Sequence, residues 1–139
     1  MFRKILVAVD GSDMTGKVLS AAADVSRHYS SDLHLVYVSE RGFSGGGTGK
    51  ELVMGELPET ERAMVSGFAQ QLEAEGVRFV IHLRQGHPGE VIISLAEGLG
   101  VDLVVLGSVG MSRISRMLSG SVSTFVVTHS RAATLVIKP

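Results

Sequence analysis

The sequence predicts an α/β protein built on an open parallel sheet with helices on both faces, and two observations carry that prediction. First, five short apolar, β-branched runs recur along the 139 residues: Ile5 to Val9, Leu33 to Val38, Phe79 to Leu83, Leu103 to Leu106 and Thr134 to Ile137. The first and fourth, Ile-Leu-Val-Ala-Val and Leu-Val-Val-Leu, are continuous rather than alternating, as expected of strands covered on both faces. Second, the segments between the runs carry helical period. The resulting order βαβαβαβαβ calls for right-handed crossovers and a single layered sheet.

Each helix has its own signal. Val18, Ala22, Val25 and Tyr29 form one stripe, and Ser12 or Asp13 is the expected N-cap of that helix. Met64, Phe68 and Leu72 repeat every four residues. Val91, Ile92, Leu95, Ala96 and Leu99 make a wider stripe, with Pro88 near the first helical position and Gly98 and Gly100 near the end. Val122, Phe125 and Val126 begin a last helix after Gly120. Residues 1–139 read as one domain, without an internal repeat. Ser39 to Glu56, with six glycines and no apolar period, reads as a mobile loop between the second strand and second helix.

Composition narrows the function classes. Thirteen basic and fourteen acidic residues are mixed along the chain, which argues against a nucleic-acid or membrane-surface footprint. Without cysteine there is no disulfide, thiolate catalysis or cysteine-ligated zinc. The apolar runs are too short for a signal-peptide core or a membrane span, so a soluble cytoplasmic protein is expected.

Gly107-Ser108-Val109-Gly110, followed by Gly120-Ser121-Val122-Ser123, is the most pointed feature. A buried strand breaks into glycines and then feeds a helix start. Glycines let the backbone approach an anion, the first helical amides point at it, and serine hydroxyls can donate to phosphate oxygens. Arg113 and Arg116, between the two halves, can add charge or remain solvated. Asp10-Gly11-Ser12-Asp13 closes the first strand; Asp10 there reads either as part of a helix start or as a carboxylate for ribose hydroxyls at the carboxyl edge of the sheet.

Louder motifs fail on context. Gly42-Phe43-Ser44-Gly45-Gly46 fits G-x-S-x-G, with Asp102 and His129 following in hydrolase order, but three more glycines stand where a helix must start. Gly47-Thr48-Gly49-Lys50 has Ser44 at the first glycine position of a P-loop and Glu51 in place of the magnesium-binding hydroxyl. The five histidines, His28, His34, His82, His87 and His129, form no helical ligand pair and no metal site is expected; His34 and His82 are the one pair that neighbouring strands can bring together.

The spacing G-x2-G-x9-G-[ST], met by Gly107, Gly110, Gly120 and Ser121, resembles the nucleotide-binding signature of universal stress proteins. Lys4 to Ser12 resembles the family's first strand and turn, Gly86-His87-Pro88-Gly89-Glu90 its third helix start, Asp102 to Ser108 its fourth strand, and Thr134 to Ile137 its last. The resemblance implies a Rossmann-like, five-stranded parallel sheet of order 3-2-1-4-5, so that Asp10 and Gly107 flank the switch point. It also implies that Asp10 contacts ribose, and that Val9 and Val38 line an adenine pocket. Gly107 and Gly110 cradle ribose and phosphates, beside Ser108, while Gly120, Ser121, Val122 and Ser123 bind the phosphate tail. The implied ligand is ATP, with Mg²⁺ able to accompany it without a dedicated protein cage. The implied assembly is a homodimer through the last strand, 134–138. The segment Ser130-Arg131-Ala132-Ala133 departs from the Pro-Cys-Pro turn often seen before that strand.

No nucleophile with a matched base and no paired carboxylates stand out, so the expected role is a nucleotide-dependent sensor or regulator in a stress response rather than a fast enzyme. The alternatives are slow ATP hydrolysis or self-phosphorylation at Ser121 or Ser123, and a member that holds AMP or cyclic AMP.

Overall fold

The structure, a computed structural model, describes residues 1–40, 49–109 and 121–139. In chain order these form β1 (Lys4–Val9), α1 (Thr15–Tyr29), β2 (Asp32–Ser39), β3 (Lys50–Glu51), a 3₁₀ turn (Met54–Glu56), α2 (Glu59–Ala74), β4 (Phe79–Gln85), α3 (Pro88–Leu99), β5 (Leu103–Gly107), α4 (Val122–His129) and β6 (Ala133–Ile137). The sheet order is β3-β4-β2-β1-β5-β6. All neighbours are parallel except β3, which runs antiparallel to β4.

The five parallel strands therefore take the expected order, but the sheet has six strands rather than five. The added β3 pairs Lys50 with Gln85 and Glu51 with Arg84, and Leu52 N–H donates to the Leu83 carbonyl at 2.9 Å. Its stability comes from main-chain partners on β4, not from an apolar pattern, which is why Ser39 to Glu56 reads as loop. Residues 50–56 are thus structured, whereas residues 41–48 lie outside the described part.

The continuous runs divide between two cores. Ile5, Val7, Val9, Leu33, Leu35, Tyr37, Leu103 and Val105 face α1 and α2. Leu6, Ala8, Val36, Val38, Val104 and Leu106 face α3 and α4, against Val91, Ile92, Ala96, Val122 and Val126. Alternate residues of one strand thus enter different cores, and each large side chain so buried contributes about 1.5–3 kcal/mol. Helix ends follow their punctuation: Pro88 opens α3, and Gly100 closes it in the left-handed region at φ +69°. The start of α1 differs from expectation. It opens at Thr15 after Met14, with no side-chain cap, because Ser12 and Asp13 belong to the preceding turn. No helix among the described residues is long and apolar enough to cross a membrane.

Candidate functional site at the strand switch point

β1 and β5 are adjacent, yet the helix after β1 packs on one face and α4 on the other. Their carboxyl ends therefore form the crevice where doubly wound sheets hold ligands. Asp10 stands at the β1 side. Its Oδ1 accepts the Ser12 N–H at 2.9 Å, and Thr15 Oγ1 accepts the Gly11 N–H at 3.0 Å. Gly11 has φ +82°, and a Cβ there would stand 1.8 Å from Met64 Sδ. The turn is thus fixed by a left-handed glycine with α2 seated against it.

On the β5 side, Ser108 donates its N–H to the Ile137 carbonyl at 2.8 Å and accepts the Ser123 hydroxyl at 3.3 Å. Ser121 is the N-cap of α4, accepting the Thr124 N–H at 3.0 Å. Its Oγ lies 2.8 Å from Ser123 Oγ and 2.9 Å from Thr124 Oγ1. Three hydroxyls thus meet at the start of α4, tied to the end of β5. A helix start also leaves its first amides without intrahelical partners, so this end can donate to an oxyanion.

The notch below is closed. Ala8, Val9, Asp10, Ser12, Met14, Thr15, Val18, Gly107 and Val109 line it and leave no room for a water molecule. The side chains of Val9 and Val38 are buried in opposite cores. Gly110, Arg113, Arg116 and Gly120 lie outside the described residues. Val122, whose side chain is buried, begins α4 beside Ser121.

Sequence reasoning missed three participants. Thr124 joins the hydroxyl cluster, and its signal was its position three residues after the Ser121 cap. Thr15 holds Gly11. Tyr37, paired with Val9 across the sheet, donates its O–H to Glu61 Oε1 at 2.6 Å. Burial first, then the Glu61 hydrogen bond and the negative charges of Glu61, Asp10 and Glu40, push the Tyr37 phenol above its ordinary range and keep it protonated.

The decoys are occupied elsewhere. Asp102 accepts the backbone N–H groups of Arg3 and Lys4 at 3.0 and 3.3 Å, and His129 Nδ1 lies 2.9 Å from the Phe125 carbonyl. Lys50 pairs with Glu56 at 3.2 Å. The missing Pro-Cys-Pro turn has a substitute: Ser130 Oγ accepts the Ala132 N–H at 3.1 Å and shapes the approach to β6.

A mostly parallel sheet with a glycine turn and a hydroxyl-capped helix at its switch point defines the class, a doubly wound α/β protein. Within it, the chain belongs to the universal stress protein family, whose profile matches residues 1–138. A universal stress protein of Bacillus subtilis is 28% identical over 99% of this chain and 100% of its own. The fold is also that of a universal stress protein solved in complex with cAMP, at 22% identity and TM-score 0.75, covering 98% of this chain and 96% of that one. A universal stress protein of Archaeoglobus fulgidus solved with dAMP matches at 22% identity and TM-score 0.71, covering 99% and 98%.

Proposed function

We propose that this chain binds an adenine nucleotide, ATP, across the carboxyl ends of β1 and β5, and acts as a nucleotide-dependent regulator of a stress response. The observation that supports it most is the joining of the Ser121, Ser123 and Thr124 hydroxyls at the start of α4 with the end of β5. In this reading Asp10 accepts from the ribose hydroxyls, and the strand ends at Val9 and Val38 border the base. Gly107, Ser108 and Gly110 let the backbone approach ribose and phosphates. Gly120, Ser121, Val122 and Ser123 hold the phosphate tail, with Arg113 adding charge and Mg²⁺ accompanying the phosphates. The cAMP and dAMP held by two relatives favour adenine as the base.

The same reading places the protein in the cytoplasm as a homodimer through 134–138. Support for the dimer comes from β6, which pairs with β5 on one side and ends the sheet on the other. Among the described residues, the three hydroxyls bond to one another, to the Thr124 amide and to the Ser108 carbonyl.

Acid extraction of the purified protein, followed by chromatography of the released nucleotide, tests the ligand, and calorimetry with ATP, AMP and cyclic AMP ranks the phosphate forms. ATP binding is expected to be the tightest; absence of binding by all three overturns the reading. The proximity of Ser121 and Ser123 to the proposed phosphate tail also favours a second reading, slow self-phosphorylation. Incubation with γ-labelled ATP tests it, with labelling lost in the Ser121→Ala, Ser123→Ala double variant as the expected result and no label over hours as the refutation.

A further inference from the structure

His34 on β2 and His82 on β4 sit one diagonal step apart, since His34 is in register with Val80 and Val36 with His82. His34 Nδ1 lies 2.8 Å from His82 Nε2, with ring centroids 5.1 Å apart and ring planes at 24°. The centroid separation is close to the nitrogen gap plus two ring radii, so the rings meet edge to edge. The contact is an N–H···N hydrogen bond, one ring donating and the other accepting. Such a bond survives with one imidazolium in the pair, whereas two imidazolium rings place N–H against N–H and break it.

The pair lies on the α3–α4 side of the sheet, on the face that also carries Val36 and Val38. Val80 beside it is 52% exposed, and both rings are partly buried. The charges around it are Lys4 on β1, Asp32 on β2, Glu51 on β3 and Arg84 on β4, and Arg27 of α1 and Arg78 just before β4 line the same cavity as His34. Lys4 Nζ is held on the Leu99 carbonyl at 3.0 Å. From α3 the groove beside Glu51 and Arg84 receives the neutral Val91, Ser94, Leu95 and Gly98, while Glu97 lines a separate cavity with Arg131 and Glu90 stands in the first turn.

We propose that the His34–His82 pair is a proton-operated latch that holds β4, and the edge strand β3 carried on it, to the rest of the sheet. β4 relies on β2 along its whole length, because β3 covers only its last residues. Burial first, then the positive charge of Lys4 for His34, and that of His34 and Arg84 for His82, lower both imidazoles below the ordinary value of 6.5. Groups lowered in the folded state stabilise it fully above the unfolded value, and this contribution is lost as pH falls through the lower folded values. Protonation of both rings therefore loosens the β4 side of the sheet relative to the β1–β5–β6 side.

The test is a pH titration of the histidine ring resonances together with amide hydrogen exchange, on the wild type and on His34→Gln and His82→Gln. The two rings are expected to titrate as a coupled pair below the ordinary imidazole value, and each substitution should leave the remaining ring with a single step. As the pH falls from neutral through the second protonation step of the pair, protection factors of β4 amides bonded to β2 should fall about tenfold more than those of β1 amides bonded to β5. That difference should vanish in either variant. Independent titration of the two rings, or parallel loss of protection on both sides of the sheet, overturns the latch, and both are read on the wild type even if a variant fails to fold.

Discussion

Gly11 and Ser121 are the residues on which the candidate site turns, and they constrain it differently. Gly11 is fixed by sterics: its φ is +82° and a Cβ would overlap Met64 Sδ at 1.8 Å. Gly11→Ala should therefore destabilise the fold by about 1–3 kcal/mol, read as a lower urea midpoint, and Met64→Ala in the same chain should recover part of that loss. Failure of the second substitution to recover anything would mean that backbone strain alone sets the cost. Ser121 is fixed by hydrogen bonding. Ser121→Ala removes the α4 cap and should lower stability by about 1 kcal/mol. Ser123→Ala keeps that cap and loses the link to the Ser108 carbonyl. Calorimetry on the two should find weaker ATP binding in both but a lower melting temperature chiefly in Ser121→Ala.

Elements were legible in the sequence where burial itself writes the pattern. β1 and β5 showed as continuous apolar runs because alternate residues enter two cores, and α3 showed through Pro88 and its wide stripe. The start of α4 after Gly120 was equally visible, since a glycine before an apolar period is a local signal. β3 was not, because two residues held by main-chain bonds carry no side-chain signature. The start of α1 was misplaced for a related reason: Ser and Asp serve turns as readily as caps. Contacts between elements were the least legible. Nothing in the spacing of Tyr37 and Glu61 shows that a 2.6 Å hydrogen bond joins β2 to the first turns of α2. Tyr37→Phe should cost about 1 kcal/mol or somewhat more, read by thermal unfolding, because it leaves the Glu61 carboxylate without that donor. No loss would show that water replaces the phenol at no cost.

For the whole molecule, periodicity defined a layered α/β sheet but not its strand order; that came from the family resemblance, and the structure bears it out for the five parallel strands. The strand order matters because it places the Asp10 turn and the end of β5 side by side. A ligand held there bridges the β1–α1 and β5–α4 units, so it should stabilise the entire fold by mass action. ATP at about 100 times its dissociation constant should add about 2.7 kcal/mol, a rise of roughly 5–10 °C in melting temperature for a chain of this size. Gly107→Val is the decisive control. A Cβ at Gly107 would stand 3.4 Å from the Val109 carbonyl oxygen and Val18 Cγ2 and 3.5 Å from Met14 Cβ, so a single methyl is nearly accommodated but the branches of valine are not. The variant should melt lower without nucleotide, through crowding against α1, and should also lose most of the ATP-induced rise, through blocked backbone approach. The two effects separate in one experiment. A lower baseline with the full ATP shift retained would leave Gly107 a packing residue and move the nucleotide away from the end of β5.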